Sequence, residues 1–236
     1  MDYFYTPPHL IERTLLVIEG DEYSHLTHVM RKNVGDPLCV VDGTGTAYDV
    51  VITALNKRIA TCEIRAKHAR WNEPATEITL AVGLLKNASR FDFLVEKTTE
   101  LGVASIIPLL TERSIPRHAR VDRWQKLALA AMKQSGRCII PQVHPLTPLR
   151  DVLSAAHGSA LRIILHETAE LPLATWLSGR QDQLSTAVTI CIGPEGGFSN
   201  EEIDLATRAG FIPVNLGSRR LRTETAAIIS VGTVVL

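Results

Sequence analysis

No apolar run in this sequence approaches the roughly 20 residues that a helix needs to cross a bilayer, so a helical membrane span is excluded. The opening residues Met1-Asp2-Tyr3-Phe4-Tyr5-Thr6-Pro7-Pro8 carry neither the basic start nor the apolar stretch of a signal peptide. The four cysteines, Cys39, Cys62, Cys138 and Cys191, are far apart and form no CxxC pair. Three lie in or beside apolar runs, where buried free thiols are expected, and a reducing cytoplasm fits them. The glycine fingerprint GxGxxG is absent, which disfavours a Rossmann-type nucleotide site. No nucleophile elbow marks a Ser-His-Asp arrangement. His25 and His28 are three apart without further ligands, so no metal is expected. Internal repeats and low-complexity segments are missing as well.

The formal net charge is zero, which alone argues against a nucleic-acid partner. Its distribution argues otherwise. Met1 to Asn72 holds 8 basic and 9 acidic residues, Leu84 to Cys138 holds 10 and 5, and Ile139 to Leu236 holds 7 and 9. The middle of the chain is thus at +5, enough for an RNA-facing surface because phosphate attraction follows local potential. A solvated helical face would carry the same charges.

What is present divides into two parts. Up to Asn72 the chain reads as short strands, Leu38 to Asp42, Tyr48 to Ile52 and Ile59 to Ile64, with a hairpin turn at Asp42-Gly43-Thr44-Gly45. One short helix fits Asp21 to Arg31, and a small β-barrel is the natural interpretation. Trp71-Asn72-Glu73-Pro74-Ala75 reads as a linker, with the second domain running over 73–236. There strands alternate with helices: strand Ile78 to Leu85, helix Arg90 to Leu101, strand Ser105 to Leu110 and helix Val121 to Ser135. A helix from Pro148 toward Ala156 follows, then strands Leu161 to Leu165 and Val188 to Ile192. Ser199-Asn200-Glu201-Glu202 is a capping box for a helix to Ala209; strand Phe211 to Leu216 and a helix from Thr223 complete the series. Such alternation implies an α/β domain with a parallel sheet.

Two loops stand where ligands bind in open α/β sheets, past the carboxyl ends of strands. Gly193-Pro194-Glu195-Gly196-Gly197 has three glycines in five residues, so its backbone could approach a flat ligand. It lacks the Lys-Ser or Lys-Thr of a Walker A loop, and a plain strand-to-helix turn would carry the same glycines. Leu216-Gly217-Ser218-Arg219-Arg220-Leu221-Arg222-Thr223-Glu224-Thr225-Ala226 repeats the layout and places three arginines beside a helix start, a plausible phosphate cluster. Thr223 as N-cap and Glu224 in the first turn would suit any helix, but the arginines have no such explanation.

Taken together, these loops resemble the RsmE family of 16S rRNA uridine-N3 methyltransferases within the SPOUT superfamily. So do Phe91 to Val103, Pro108, Thr111-Glu112-Arg113-Ser114, Trp124-Gln125-Lys126, Lys133 to Arg137 and Ile140-Pro141. His28-Val29-Met30-Arg31 with Val34-Gly35-Asp36 is similar to the family's usual start. The resemblance implies a PUA-like RNA-binding β-barrel over 1–72 and a SPOUT methyltransferase domain over 73–236, with a deep trefoil knot in about 161–236. It also implies a homodimer, a cytoplasmic setting, and S-adenosyl-L-methionine (SAM) as methyl donor to N3 of one uridine (1498) in 16S rRNA of the small ribosomal subunit.

By position, the cofactor would be held by Leu165, His166, Glu167, Ile192, Gly193, Glu195, Gly196, Gly197, Leu216, Gly217, Leu221, Thr225 and Ala226. Arg222 would stabilise the uracil anion or orient the base, and Glu224 would fix that loop. Arg31, Lys86, Arg90, Arg113 and Arg137 are the expected phosphate contacts. Asp2-Tyr3-Phe4-Tyr5 departs from the family in lacking a basic residue before the aromatic pair, and Arg220 replaces a common aliphatic. A SPOUT enzyme acting on another rRNA or tRNA position, or a non-enzymatic RNA-binding protein, are the rival readings.

Overall fold

A computed structural model describes residues 3–180 and 187–235; Met1 and Asp2, part of the N-terminal expectation, lie outside the described residues. Contacts between Cα atoms divide the chain into two units, Met1–Glu73 with Leu129–Ile140, and Pro74–Ala128 with Pro141–Leu236.

The first unit is a five-stranded sheet in the order β1-β3-β4-β5-β2, with β1 Tyr3–Tyr5, β2 Leu15–Glu19, β3 Pro37–Val41, β4 Thr46–Leu55 and β5 Ile59–Ala69. Only the β1–β3 pairing is parallel. The edge strands meet where the Thr6 hydroxyl donates to the Val17 carbonyl at 3.2 Å. Phe4, Leu16, Ile18, Leu26, Val50 and Ile52 fill the interior, each at most 1% exposed. The expected helix is α1, Gly20–Ser24, continued by a π-helical turn over His25–Val29. Alternation alone could not reveal β1, whose partner β3 is far along the chain.

The stretch expected to be a linker is not slack. The Glu73 side chain, 2% exposed, accepts from Arg137 Nη2 at 2.6 Å and Arg137 Nε at 3.1 Å, and from the amides of Cys138 and Ile139 at 2.9 Å. A buried carboxylate needs that degree of satisfaction. Arg137 is itself only 3% exposed. Its expected contact with RNA phosphate is therefore corrected: the guanidinium is buried against Glu73 and out of reach of a phosphate.

The second unit is built on a parallel sheet. Its strands are β6 Glu77–Gly83, β7 Ser105–Leu110, β8 Gln142–Val143, β9 Thr147–Pro148, β10 Leu161–Leu165, β11 Ala187–Ile192 and β12 Ile212–Val214. Their order is β12-β10-β11-β6-β7-β8, with β9 also on β7. The helices are α2 Ala88–Glu100, α3 Val121–Ser135, α4 Leu149–Ala155, α5 Leu173–Leu177, α6 Asn200–Arg208 and α7 Thr223–Val235; α3 gives its last turns to the first unit. Phe91, Leu94 and Val95 form the expected buried face of α2, and Phe91 stacks on Trp124 of α3 at 4.1 Å between centroids. The capping box at Ser199 is present in both directions. Strands buried on both faces need apolar residues at successive positions, as Val188 to Ile192 shows; Thr189 and Cys191 are the small exceptions that fit.

All four cysteines are free and buried. Burial pushes the thiols up, to about 11 at Cys39 and Cys138, about 12 at Cys62, and higher still at Cys191. Thiolate chemistry is suppressed at each. Among the described residues no helix is long and apolar enough to cross a membrane.

Candidate active site

Strands β10, β11 and β12 are parallel, and the chain reverses its direction of progress across the sheet there: β11 lies on one side of β10 and β12 on the other. Loops leaving the carboxyl ends of such strands diverge and leave a crevice. A cavity of about 420 Å³ occupies it, within the range of small-molecule sites.

The wall contains nearly the whole set of residues expected to hold the cofactor: Leu165, His166 and Glu167 after β10, Ile192, Gly193, Glu195, Gly196 and Gly197 after β11, and Leu216, Gly217, Leu221 and Ala226 after β12. Thr225 does not line the cavity. It neighbours Ala226 on α7, but successive helical residues face different directions. Arg222 and Glu224 do line the cavity, as do Arg90 and Arg113. Arg31 lies in the first unit, exposed and with positive φ (52°), and Lys86 is exposed but off the cavity wall.

The glycine loop is held from several directions. Glu195 accepts from the Lys86 amide at 3.0 Å, so its carboxylate anchors the loop that follows β6. Arg113 Nη1 donates to the Gly196 carbonyl at 2.8 Å, and the Thr223 hydroxyl donates to the Gly193 carbonyl at 3.1 Å. Thr223 is thus the first residue of α7 rather than its cap, and its hydroxyl joins the two loops. A Cβ on Gly193 would lie 2.9 Å from the Gly197 carbonyl carbon, so only glycine lets the loop fold on itself. Gly197 has φ +69° with nothing within 4 Å of where a side chain would begin.

Two contributors escaped sequence reasoning. Gly83, at the end of β6, supports Pro194: a Cβ there would sit 2.4 Å from the Pro194 nitrogen. A glycine ending a buried strand signals such close backbone approach. Asn215 donates through Nδ2 to the Ala169 carbonyl at 2.7 Å and accepts the Gly217 amide at 2.8 Å, shaping the second loop. Asn before a Leu-Gly turn is the available cue.

The charges on the wall are unequal in freedom. Glu224, 7% exposed in the first turn of α7, faces Arg90 Nε at 3.7 Å, a position that the helix dipole also favours. Arg90 is thereby partly committed. Arg220 points outward, 79% exposed, with Glu167 at 3.7 Å; a pair so exposed is worth little. Arg219 and Arg222 are exposed. Among the described residues the amides of Leu216 and Leu221 make no hydrogen bond to protein, and both residues line the cavity. Taken together, the cavity offers a glycine-cradled, backbone-lined half beside an arginine-bearing half.

That arrangement has relatives. The profile of an RNA methyltransferase domain matches residues 72–235, and that of an RNA methyltransferase PUA domain matches 18–65. Ribosomal RNA small subunit methyltransferase E of Synechocystis is 32% identical over 232 residues, 97% of this chain and 75% of the relative. The chain belongs to the ribosomal RNA small subunit methyltransferase E family. A member of that family from Neisseria gonorrhoeae, solved bound to S-adenosyl methionine, superposes with a TM-score of 0.85 at 33% identity, covering 98% of this chain and 95% of the other. A Legionella pneumophila protein solved with bound SAM gives 0.80 at 30%, covering 98% and 96%. The PUA match falls within the five-stranded first unit.

Proposed function

We propose that this chain methylates N3 of one uridine in 16S rRNA of the small ribosomal subunit, with SAM as the donor. The observation that carries this reading is the cavity itself, in which a cofactor-sized glycine cradle adjoins Arg222 at the start of α7. The cradle fits SAM: Gly83 and Gly193 let the loop backbones pack where a Cβ would collide, and among the described residues the amides of Leu216 and Leu221 have no protein acceptor. When bound, the cofactor supplies an activated methyl group on a sulfonium.

The chain's own residues do the rest. Uridine N3 carries a proton at neutral pH, so the site must favour its loss. Arg222, exposed on the cavity wall, stabilises the uracil anion or orients the flipped base. Glu224 holds Arg90, keeping the start of α7 and α2 in register. The same reading includes a trefoil knot. It is supported by the path of the chain: β12 lies at the sheet edge, yet α7 packs back on β6, β11 and α2, so residues 215–222 must cross the loops after β10 and β11. It also includes a homodimer working in the cytoplasm, and an RNA-binding role for the PUA-like domain of residues 1–72, with the methyltransferase domain over 73–236.

The test is to incubate the protein with SAM and small subunits lacking the modification, then map the methylated nucleoside by mass spectrometry. N3-methyluridine at a single site is the expected product. A ribose methyl or a methylated guanine would place the chain's activity at another RNA position, and absence of SAM binding by calorimetry would overturn the enzymatic reading.

A further inference from the structure

Between β7 and α3 the chain runs Arg113-Ser114-Ile115-Pro116-Arg117-His118-Ala119-Arg120, with no acidic residue. Both ends of this segment are fixed. At the first, the buried Ser114 hydroxyl lies 2.9 Å from the Thr111 hydroxyl and accepts the Thr111 amide at 3.1 Å, while Arg113 donates to Gly196. At the other, the Arg120 carbonyl accepts the Trp124 amide at 3.0 Å as α3 begins. Between them Arg117, His118 and Arg120 are exposed, and Ile115 is 64% exposed.

The contrast with nearby arginines is informative. Arg90 faces Glu224, Arg123 is paired with Asp92 at 2.8 Å, and Arg220 faces Glu167. Arg117 and Arg120 have no ion pair among the described residues. The segment also joins the cavity directly, because Arg113 both opens it and lines the wall beside Gly196. Ile115 lies in sequence between Arg113 and Arg117 and leaves most of its side chain in water. Guanidinium forks match phosphate oxygens, and a neighbouring apolar atom group suits a ribose or base face.

We propose that residues 113–120 form a docking surface for the RNA backbone at the mouth of the cavity. Arg117 and Arg120 take phosphates, Ile115 covers a sugar or base, and Arg113 is a positioning residue that ties this surface to the glycine loop. The proposal rests on the methyltransferase reading and deepens it, moving the expected phosphate contacts off Arg113 and Arg137.

The probe is deproteinised 16S rRNA, with binding measured against salt. Each phosphate contact to single-stranded RNA contributes about 0.7 to the slope of log K on log salt. The double variant Arg117→Ala, Arg120→Ala should therefore lose about 1.4 from the slope and roughly tenfold in affinity. Its lysine counterpart should keep the slope, and both should bind SAM as the parent does. Ile115→Ser should lower affinity severalfold at unchanged slope; unchanged affinity would remove Ile115 from the surface. An alanine variant with the parental slope and affinity overturns the proposal, as does a matching loss of SAM affinity. Failure of the parent to methylate would instead count against the function proposed above, while a reduced slope in the variant would still support the docking surface.

Discussion

The loops 193–197 and 216–222 share one layout, a parallel strand followed by a glycine turn and a helix, yet they are built to different tolerances. The first is locked by Lys86, Arg113 and Thr223, and its Gly193 and Pro194 are buried. The second is shaped at its start by Asn215, but its arginines are exposed, and among the described residues their one ion pair is the wide Arg220–Glu167 approach. A small cofactor of fixed shape rewards a preformed cradle, because ordering it at binding would cost affinity. The second loop lines the same cavity with its backbone, but its arginines are exposed. The difference teaches that one cavity can combine a rigid half and a solvent-facing half on the same strand ends.

Four substitutions would break or sharpen this contrast. Arg222→Ala should cost the most, roughly 100- to 1000-fold in kcat or about 3–4 kcal/mol of transition-state stabilisation, with SAM affinity by calorimetry unchanged. Equal loss of both would make Arg222 part of the cradle. Gly83→Ala should act on the rigid half alone, since the new Cβ meets the Pro194 backbone; overpacking predicts about 1–3 kcal/mol in thermal or urea unfolding and weaker SAM binding. A fully stable variant with parental affinity would show that the loop can shift freely. Thr223→Val leaves the Gly193 carbonyl without its hydroxyl partner, and about 1 kcal/mol should be lost, again with reduced SAM affinity. Arg220→Ala should change stability by less than about 0.5 kcal/mol; a larger effect would mean that the second loop is braced as firmly as the first.

Much of the second unit was legible in the sequence because its signals are local. Helix α3 and strand β10 fall on the expected residues. The glycine-bearing half of the cavity was legible for the same reason: its glycines sit at strand ends. Strands β1 and β2, the short β8 and β9, and helix α5 were not foreseen, because brief elements depend on partners distant in sequence rather than on periodicity. Gly83 and Asn215 were missed because their importance lies in what approaches them.

The sequence by itself determined the alternation of the longer strands and helices in the second unit, the family, and the two loops that line the cavity. Only the tertiary structure decided which arginines are free. Arg137 and Arg117 look alike in a charge count, yet Arg137 meets Glu73 across 64 residues of chain and is buried, whereas Arg117 meets no acid among the described residues. Charge is a property of residue type, readable anywhere along a chain. Its availability is set by burial and pairing, and those are fixed by contacts that folding alone creates.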